Sequence, residues 1–375
     1  MVRRPSLRRA LTRCALACAG AAVALLAVEV VFRLAAPAAR YQPSRHLENA
    51  EKTVGLDVYP SNPRGSFDVD LRDVTVRSRY AGAGVPGLEE AARHTPYAVA
   101  FSYNAERCRD REVGARTSGT RRVVILGDSF AEGQGVREPD TFARRIERAL
   151  RGMGRDVEVV NCGRRGRDFP ELFDAFERLL SYQPDVVLYA MVLNDPVQSP
   201  EFKARQDFLN DWILDRRRML SEGKPEWPSV WKSHALGFIL DEIEARRVER
   251  ATTKWYDEMY GPPNGEGWSE TQRYLQRMNE SMRSRGGRLV VALLPLLVDT
   301  DGHYPFDGPT AEVRIACERT GIPFYDALAA LRGRPAAALW VNPVDLHPNE
   351  VAHALLAEAL TPVVARALDE SGNQS

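Results

Sequence analysis

Five short apolar runs, separated by helix-like stretches, constrain this chain more than any other feature of its sequence. They are Arg121 to Gly127 (RRVVILG), Val157 to Gly163 (VEVVNCG), Asp185 to Asp195 (DVVLYAMVLND), Arg288 to Pro295 (RLVVALLP) and Ile322 to Asp326 (IPFYD). Each is too short for a core helix, dominated by branched or aromatic residues and bounded by Gly, Pro or Asp, so each reads as a strand. Amphipathic helical patterns lie between and after them, from Thr141 to Met153, from Pro170 to Tyr182 and from about Asn349 to Leu368. Strands that are apolar on both faces and alternate with helices build a parallel sheet covered on both sides. The expected class is α/β with a five-stranded parallel sheet, and ligands of such sheets bind at the carboxyl ends of the strands.

The chain ahead of this rhythm is of another kind. Arg3, Arg4, Arg8, Arg9 and Arg13 precede an uncharged stretch from Cys14 to Val28, and the apolar run continues past Glu29 to Phe32. About 19 residues with one ionisable group approach the roughly 20 that cross a bilayer as a helix. An uncleaved signal-anchor is expected over residues 1–36, with its basic end in the cytoplasm and the rest of the chain periplasmic or extracellular. A cleaved signal peptide, cut near Ala36 to Ala38, is the rival, and Glu29 and Arg33 stand where its substrate would be neutral. Residues 37–120 follow as an Ala/Pro-rich tether and a β/loop extension, with turns at Pro60 to Gly65. The α/β domain is expected over 121–370. A charged, helix-prone insertion interrupts it at about 196–287 and holds Trp212, Trp227, Trp231, Trp255 and Trp268. These tryptophans either line a substrate cap or pack the insertion.

Charge narrows the partners. The whole chain balances 51 Lys+Arg against 51 Asp+Glu, yet residues 1–40 hold seven Arg and one Glu, so the body is acidic by six charges. A nucleic-acid binder would carry a basic footprint, and none is expected here. Cys108, Cys162 and Cys317 show no C-x-x-C spacing and support neither a disulfide framework nor a zinc site. His347 and His353 are six apart, the wrong spacing for a metal pair on one helix face. His46, His94, His234 and His303 are scattered singly, so no metal and no cofactor is expected.

Chemistry-bearing residues fall at the strand ends. The first strand runs into Gly127-Asp128-Ser129-Phe130, with Ser129 at the sheet edge where a helix begins and Asp128 as its turn residue. The second ends in Asn161-Cys162-Gly163-Arg164-Arg165-Gly166, a loop able to offer a backbone N–H, and the third in Leu193-Asn194-Asp195, which offers an amide. Asp345-Leu346-His347-Pro348-Asn349 precedes the last helix with a base and a carboxylate. Asp326, ending the fifth strand, reads as the cap of a following helix.

In that order, GDSF, the N-x-G-x-x-G loop, the strand-ending ND and the D-x-H-P-N segment resemble the SGNH hydrolases, the GDSL-like lipase and esterase superfamily, over about Arg121 to Leu368. The resemblance implies a three-layer α/β/α, flavodoxin-like fold and a serine hydrolase. It casts Ser129 as nucleophile and His347 as general base. Gly166 and Asn194, with the Ser129 backbone N–H, become oxyanion donors, and Gly163 is the substitute for Gly166. The family pattern places Asp three residues before His, where this chain has Val344. Asp345, two before, then either orients the imidazole or leaves a Ser-His dyad.

The expected function is an exported, membrane-anchored serine esterase removing small acyl groups, such as acetyl, from envelope or extracellular glycans. An O-acyltransferase modifying an exopolysaccharide or secreted product is the alternative, and with one spanning segment it would need a membrane-bound acyl-donor partner. A silent glycan-binding scaffold is the third reading, against which the intact Ser129, Asn194 and His347 speak.

Overall fold

A computed structural model describes residues 7–35, 101–205, 233–342 and 345–371. The chain divides into two compact units, Met1–Glu48 with Ile213–Arg250, and Asn49–Trp212 with Ala251–Ser375. The tether and turns expected over 37–65, the extension up to residue 100, and Trp212, Trp227 and Trp231 lie outside the described residues.

The first unit is dominated by helix α1, Leu7–Ala35. Its segment Leu11–Ala35 has a mean hydropathy of 2.3 and is long and apolar enough to cross a membrane. Leu11, Leu25 and Leu34 are exposed, as in a helix that meets lipid or is removed as a signal sequence. Glu29 is not left bare on this surface: Arg33 Nε donates to it at 2.7 Å, Ser233 Oγ at 2.6 Å and the Ala235 N–H at 3.1 Å.

The second unit holds the sheet. Its strands are β1 (Arg121–Gly127), β2 (Val157–Gly163), β3 (Val186–Met191), β4 (Arg288–Leu293) and β5 (Phe324–Asp326), all parallel, in the order β2-β1-β3-β4-β5. A short helix α2 (Ser129–Glu132) follows β1 directly, and α3 (Phe142–Gly152), capped by Thr141, carries the chain to β2. Helix α4 (Glu171–Leu179) joins β2 to β3. The long connection to β4 contains α5 (His234–Met259) and α6 (Gly265–Ser284). Helix α7 (Asp307–Thr320) leads to β5, and a short α8 (Leu328–Leu331) leaves it.

Successive strand residues point to opposite faces, and here both faces are dry. Val124, Leu126, Val187, Tyr189 and Val291 pack with Phe173 and Phe176 of α4 and Met278 and Met282 of α6. Val123, Ile125, Leu188, Ala190 and Val290 pack on the other side with Ile146 of α3 and Leu356 and Leu360 of the last helix, α9 (Glu350–Ser371). Each such aliphatic side chain contributes roughly 1.5–3 kcal/mol through burial, so the apolar runs fix the three layers. Although α9 is apolar enough to span a membrane, half of its apolar window is buried in this way. Trp268 is buried and Trp255 packs against the same core as Phe202 and Tyr256, so these two tryptophans of the insertion serve packing.

Outside the main sheet, β6 (Trp340–Asn342) and β7 (Asp345–Pro348) form a two-stranded antiparallel pair just before α9. Residues 101–110, expected to hold strands or loops, are turns and irregular chain. That stretch is pinned by a disulfide between Cys108 and Cys162, with Cys317 free and buried. Spacing alone had left all three cysteines unpaired, because partners 54 residues apart in sequence meet only once β2 is in place.

Candidate active site

Strand order determines which chain ends meet. In this arrangement the direction of winding reverses between β1 and β3, which opens a crevice beyond their carboxyl ends. Gly127 of β1 lies opposite Ala190 of β3, so Ser129 and Asn194 follow neighbouring strands, two and four residues beyond this pair. Ser129 starts α2, whose amino end is capped by the Asp128 carboxylate accepting from the Phe130 N–H at 2.8 Å. Asp128 is therefore the turn residue its position suggested. Burial pushes its carboxyl up to about 6, opposed by the Phe130 N–H and the nearby His347.

The nucleophile turn is braced from beneath. A Cβ on Gly163 would lie 2.3 Å from the Glu132 backbone N and 2.5 Å from the Ala131 carbonyl carbon. Only glycine lets the end of β2 approach α2 this closely. The Arg164 N–H donates to the Gly127 carbonyl at 3.0 Å, tying the two loops together. Three consecutive residues then clamp them. Cys108 is bonded to Cys162, Arg109 donates through Nη1 to the carbonyls of Glu132 (2.9 Å) and Gly133 (2.7 Å) and through Nη2 to that of Val136 (2.6 Å), and Asp110 accepts from the Asn161 N–H at 2.8 Å. Sequence reasoning missed this clamp, since Cys-Arg-Asp carries no motif.

His347 arrives from the other side, on β7. Its Nε2 lies 2.8 Å from Ser129 Oγ, and the Phe130 ring meets the imidazole edge-on at 5.3 Å between centroids. Pro348 and Asn349 secure the approach. Asn349 Oδ1 accepts from the N–H groups of Val351 and Ala352, both at 3.0 Å, and its Nδ2 donates to the carbonyls of Ala338 (2.9 Å) and Trp340 (3.0 Å). One side chain thus caps α9 and fastens the hairpin that carries the base. Asp345 belongs to β7, but its side chain, like residues 343–344, lies outside the described residues.

Ser129, His347 and Gly166 share the wall of one open cavity of about 670 Å³. Gly166 has φ of 70°, a left-handed conformation that favours glycine, with open space where a side chain would be. Gly163 is differently engaged, its N–H donating to Asn161 Oδ1 at 3.1 Å. Asn194 is half-buried at the end of β3, and among the described residues its side-chain amide makes no hydrogen bond. Beside it, Asp195 accepts from Tyr189 Oη at 2.7 Å and the Val192 N–H at 3.0 Å. Burial, reinforced by the charge of Asp128, holds the Asp195 carboxyl well above its ordinary range.

Other singled-out residues stand apart. Asp326 accepts from the Leu328 N–H at 3.0 Å and so holds the start of α8. His353 is fully buried; its Nδ1 accepts from the Phe142 N–H at 3.0 Å, and burial pushes it down to about 3. Among the described residues no cluster of His, Cys, Asp or Glu is suited to a metal ion.

A family model described as GDSL-like Lipase/Acylhydrolase matches residues 125–355. No curated protein matches the chain. Solved structures similar to it include that of TesA, at 14% identity and TM-score 0.41, covering 66% of this chain and 99% of that one. Others are the psychrotrophic esterase EstA from Pseudoalteromonas sp. (13%, TM-score 0.38, 66% and 99%) and Axe2, an acetylxylan esterase from Geobacillus stearothermophilus (16%, TM-score 0.38, 70% and 98%).

Proposed function

Because the chain belongs to the GDSL-like lipase/acylhydrolase family and is a serine ester hydrolase, we propose that Ser129 and His347 are its catalytic pair. We further propose that it removes small acyl groups, O-acetyl among them, from envelope or extracellular glycans while anchored by α1 outside the cytoplasm. The observation that carries the catalytic assignment is the 2.8 Å contact between His347 Nε2 and Ser129 Oγ in the wall of an open cavity.

A serine hydroxyl is a weak nucleophile until a base within hydrogen-bond reach accepts its proton. His347 Nε2 takes that proton as Ser129 Oγ bonds to the ester carbonyl carbon. The carbonyl electrons move onto oxygen, where the N–H groups of Ser129 and Gly166 and the Asn194 amide receive the charge. Removing one donor of this kind typically costs about 3 kcal/mol of transition-state stabilisation. Collapse of the adduct expels the alcohol, which takes the proton from His347 and leaves an acyl-serine. Water then attacks that ester, giving its proton to His347, and the acid departs as Ser129 regains its hydrogen. Asp345 is assigned to orient the imidazole.

Small acyl groups are favoured because the described residues of the cavity wall around Ser129 are mostly charged and polar. Export is supported by the apolar α1 behind its basic residues, and by a disulfide, which persists in oxidising compartments. The test is the intact mass of the full-length protein in detergent after exposure to a fluorophosphonate probe. A single adduct on wild type and none on Ser129→Ala is expected, and absence of an adduct on folded wild type overturns the assignment.

A further inference from the structure

Among the described residues, the wall of the Ser129 cavity carries five arginines, Arg107, Arg164, Arg165, Arg167 and Arg178, and three carboxylates, Glu132, Glu171 and Asp174. These carboxylates leave Arg107, Arg167 and Arg178 without an ion pair among the described residues. Glu132 is fully buried and already committed to Arg165 Nε and Tyr103 Oη, both at 2.6 Å. The cavity is thus locally cationic in a body that is acidic by six charges, so the positive charge is concentrated where the ester would bind.

Position adds to sign. Arg164, Arg165 and Arg167 flank Gly166 in the loop that follows β2, so the segment that offers a backbone N–H to the acyl carbonyl also carries the guanidinium groups. Arg167 is buried, with one hydrogen bond from Nη1 to the Cys162 carbonyl at 3.2 Å. Burial, then the like charges of Arg164 and Arg178, push it down to about 10. Among the described lining residues, every base other than His347 is Arg rather than Lys, which suits planar, bidentate binding of carboxylate or phosphate.

We propose that the ester attacked by Ser129 belongs to an anionic molecule, one bearing carboxylate or phosphate groups close to the acyl group, which Arg167 holds beside the oxyanion loop and Arg107 and Arg178 hold at the rim. This inference rests on the assignment of Ser129 and His347 as the catalytic pair, and it narrows the glycan substrate to an acidic one.

The test is protection of Ser129. Full-length protein in detergent is labelled with a fluorophosphonate at constant ionic strength in the presence of trigalacturonate, pyrophosphate or neutral maltotriose. One or both anions are expected to slow labelling at least tenfold more effectively than maltotriose, and which one does so separates a carboxylated from a phosphorylated substrate. In Arg107→Gln/Arg178→Gln, with rates normalised to that variant's own unprotected labelling, the advantage is expected to fall roughly fivefold in all, about twofold per arginine, as for exposed ion pairs. It should also shrink as salt is raised. Labelling that proceeds normally but is slowed equally by anionic and neutral saccharides overturns the anionic substrate and leaves the catalytic pair standing. A folded wild-type protein that never labels removes the catalytic pair, and the anion-binding role falls with it.

Discussion

The two halves of the Ser129–His347 pair are built differently. Ser129 sits at the mouth of a central strand, on a turn capped by Asp128, pressed against Gly163 and clamped by Cys108, Arg109 and Asp110. His347 sits on a strand of four residues outside the main sheet, fastened chiefly through Asn349. Ser129 inherits its position from the core of the domain, whereas His347 inherits its own from a peripheral hairpin. Lesions on the Ser129 side should therefore register as lost stability, and lesions on the His347 side as lost turnover in a folded protein.

The largest effect tests the pair itself. Ser129→Ala and His347→Ala should each lower kcat by on the order of 10⁴-fold or more, and the double variant should be scarcely worse than either, because residues that act as a unit are strongly non-additive. Additive losses in steady-state kinetics would break the pairing. Next comes the clamp. Cys108→Ala/Cys162→Ala opens a loop of 54 residues, and should cost about 4 kcal/mol on a chain-entropy estimate, read as a lower midpoint in urea.

Gly163→Ala forces a methyl group into the backbone of α2 and should cost roughly 1–3 kcal/mol. Asn349→Ala sharpens the contrast. It should lose only about 1–2 kcal/mol, typical of a helix cap with added hydrogen bonds, yet lower kcat more than Gly163→Ala does at matched fraction folded. If the two variants lose turnover equally, the base is as firmly seated as the nucleophile.

The smallest effect concerns His353, which lies near the clamp. Its folded-state value is depressed, so the unfolded chain binds the proton first. Stability is full above the ordinary histidine value and is lost as pH falls from there toward about 3. Wild type should lose up to about 1 kcal/mol more than His353→Gln between pH 6 and 5. Asp128, raised to about 6, acts in the opposite direction in both proteins and cancels from that difference.

The same division separates what was legible in the sequence from what was not. The strands β1, β2 and β4, and helices α3 and α9, lie within a few residues of their expected bounds, because burial on both faces writes an unbroken apolar run into each strand. Ser129, Gly166, Asn194 and His347 stand out in the sequence because each lies near a strand end or a helix start, and the structure brings Ser129, Gly166 and His347 to one cavity wall, whereas Asn194 is not among the described residues that line it. The Cys108–Asp110 clamp carried no local signal: Arg109 is one of many arginines until it meets three carbonyls that belong to another turn. The arginines around Gly166 were read as part of a loop. That they share one cavity wall with Ser129 depends on the meeting of β1, β2 and β7, which no periodicity records.

A parallel crossover needs one helix to return the chain to the start of the next strand, and α6 serves that purpose between β3 and β4. The segment Ile213–Arg250 is surplus to the sheet and belongs instead to the compact unit that contains α1. The chain therefore assembles its apolar-helix unit from two separated stretches and its sheet from the stretches around them. Substitutions in the first unit can accumulate without redrawing the distance between a serine and a histidine.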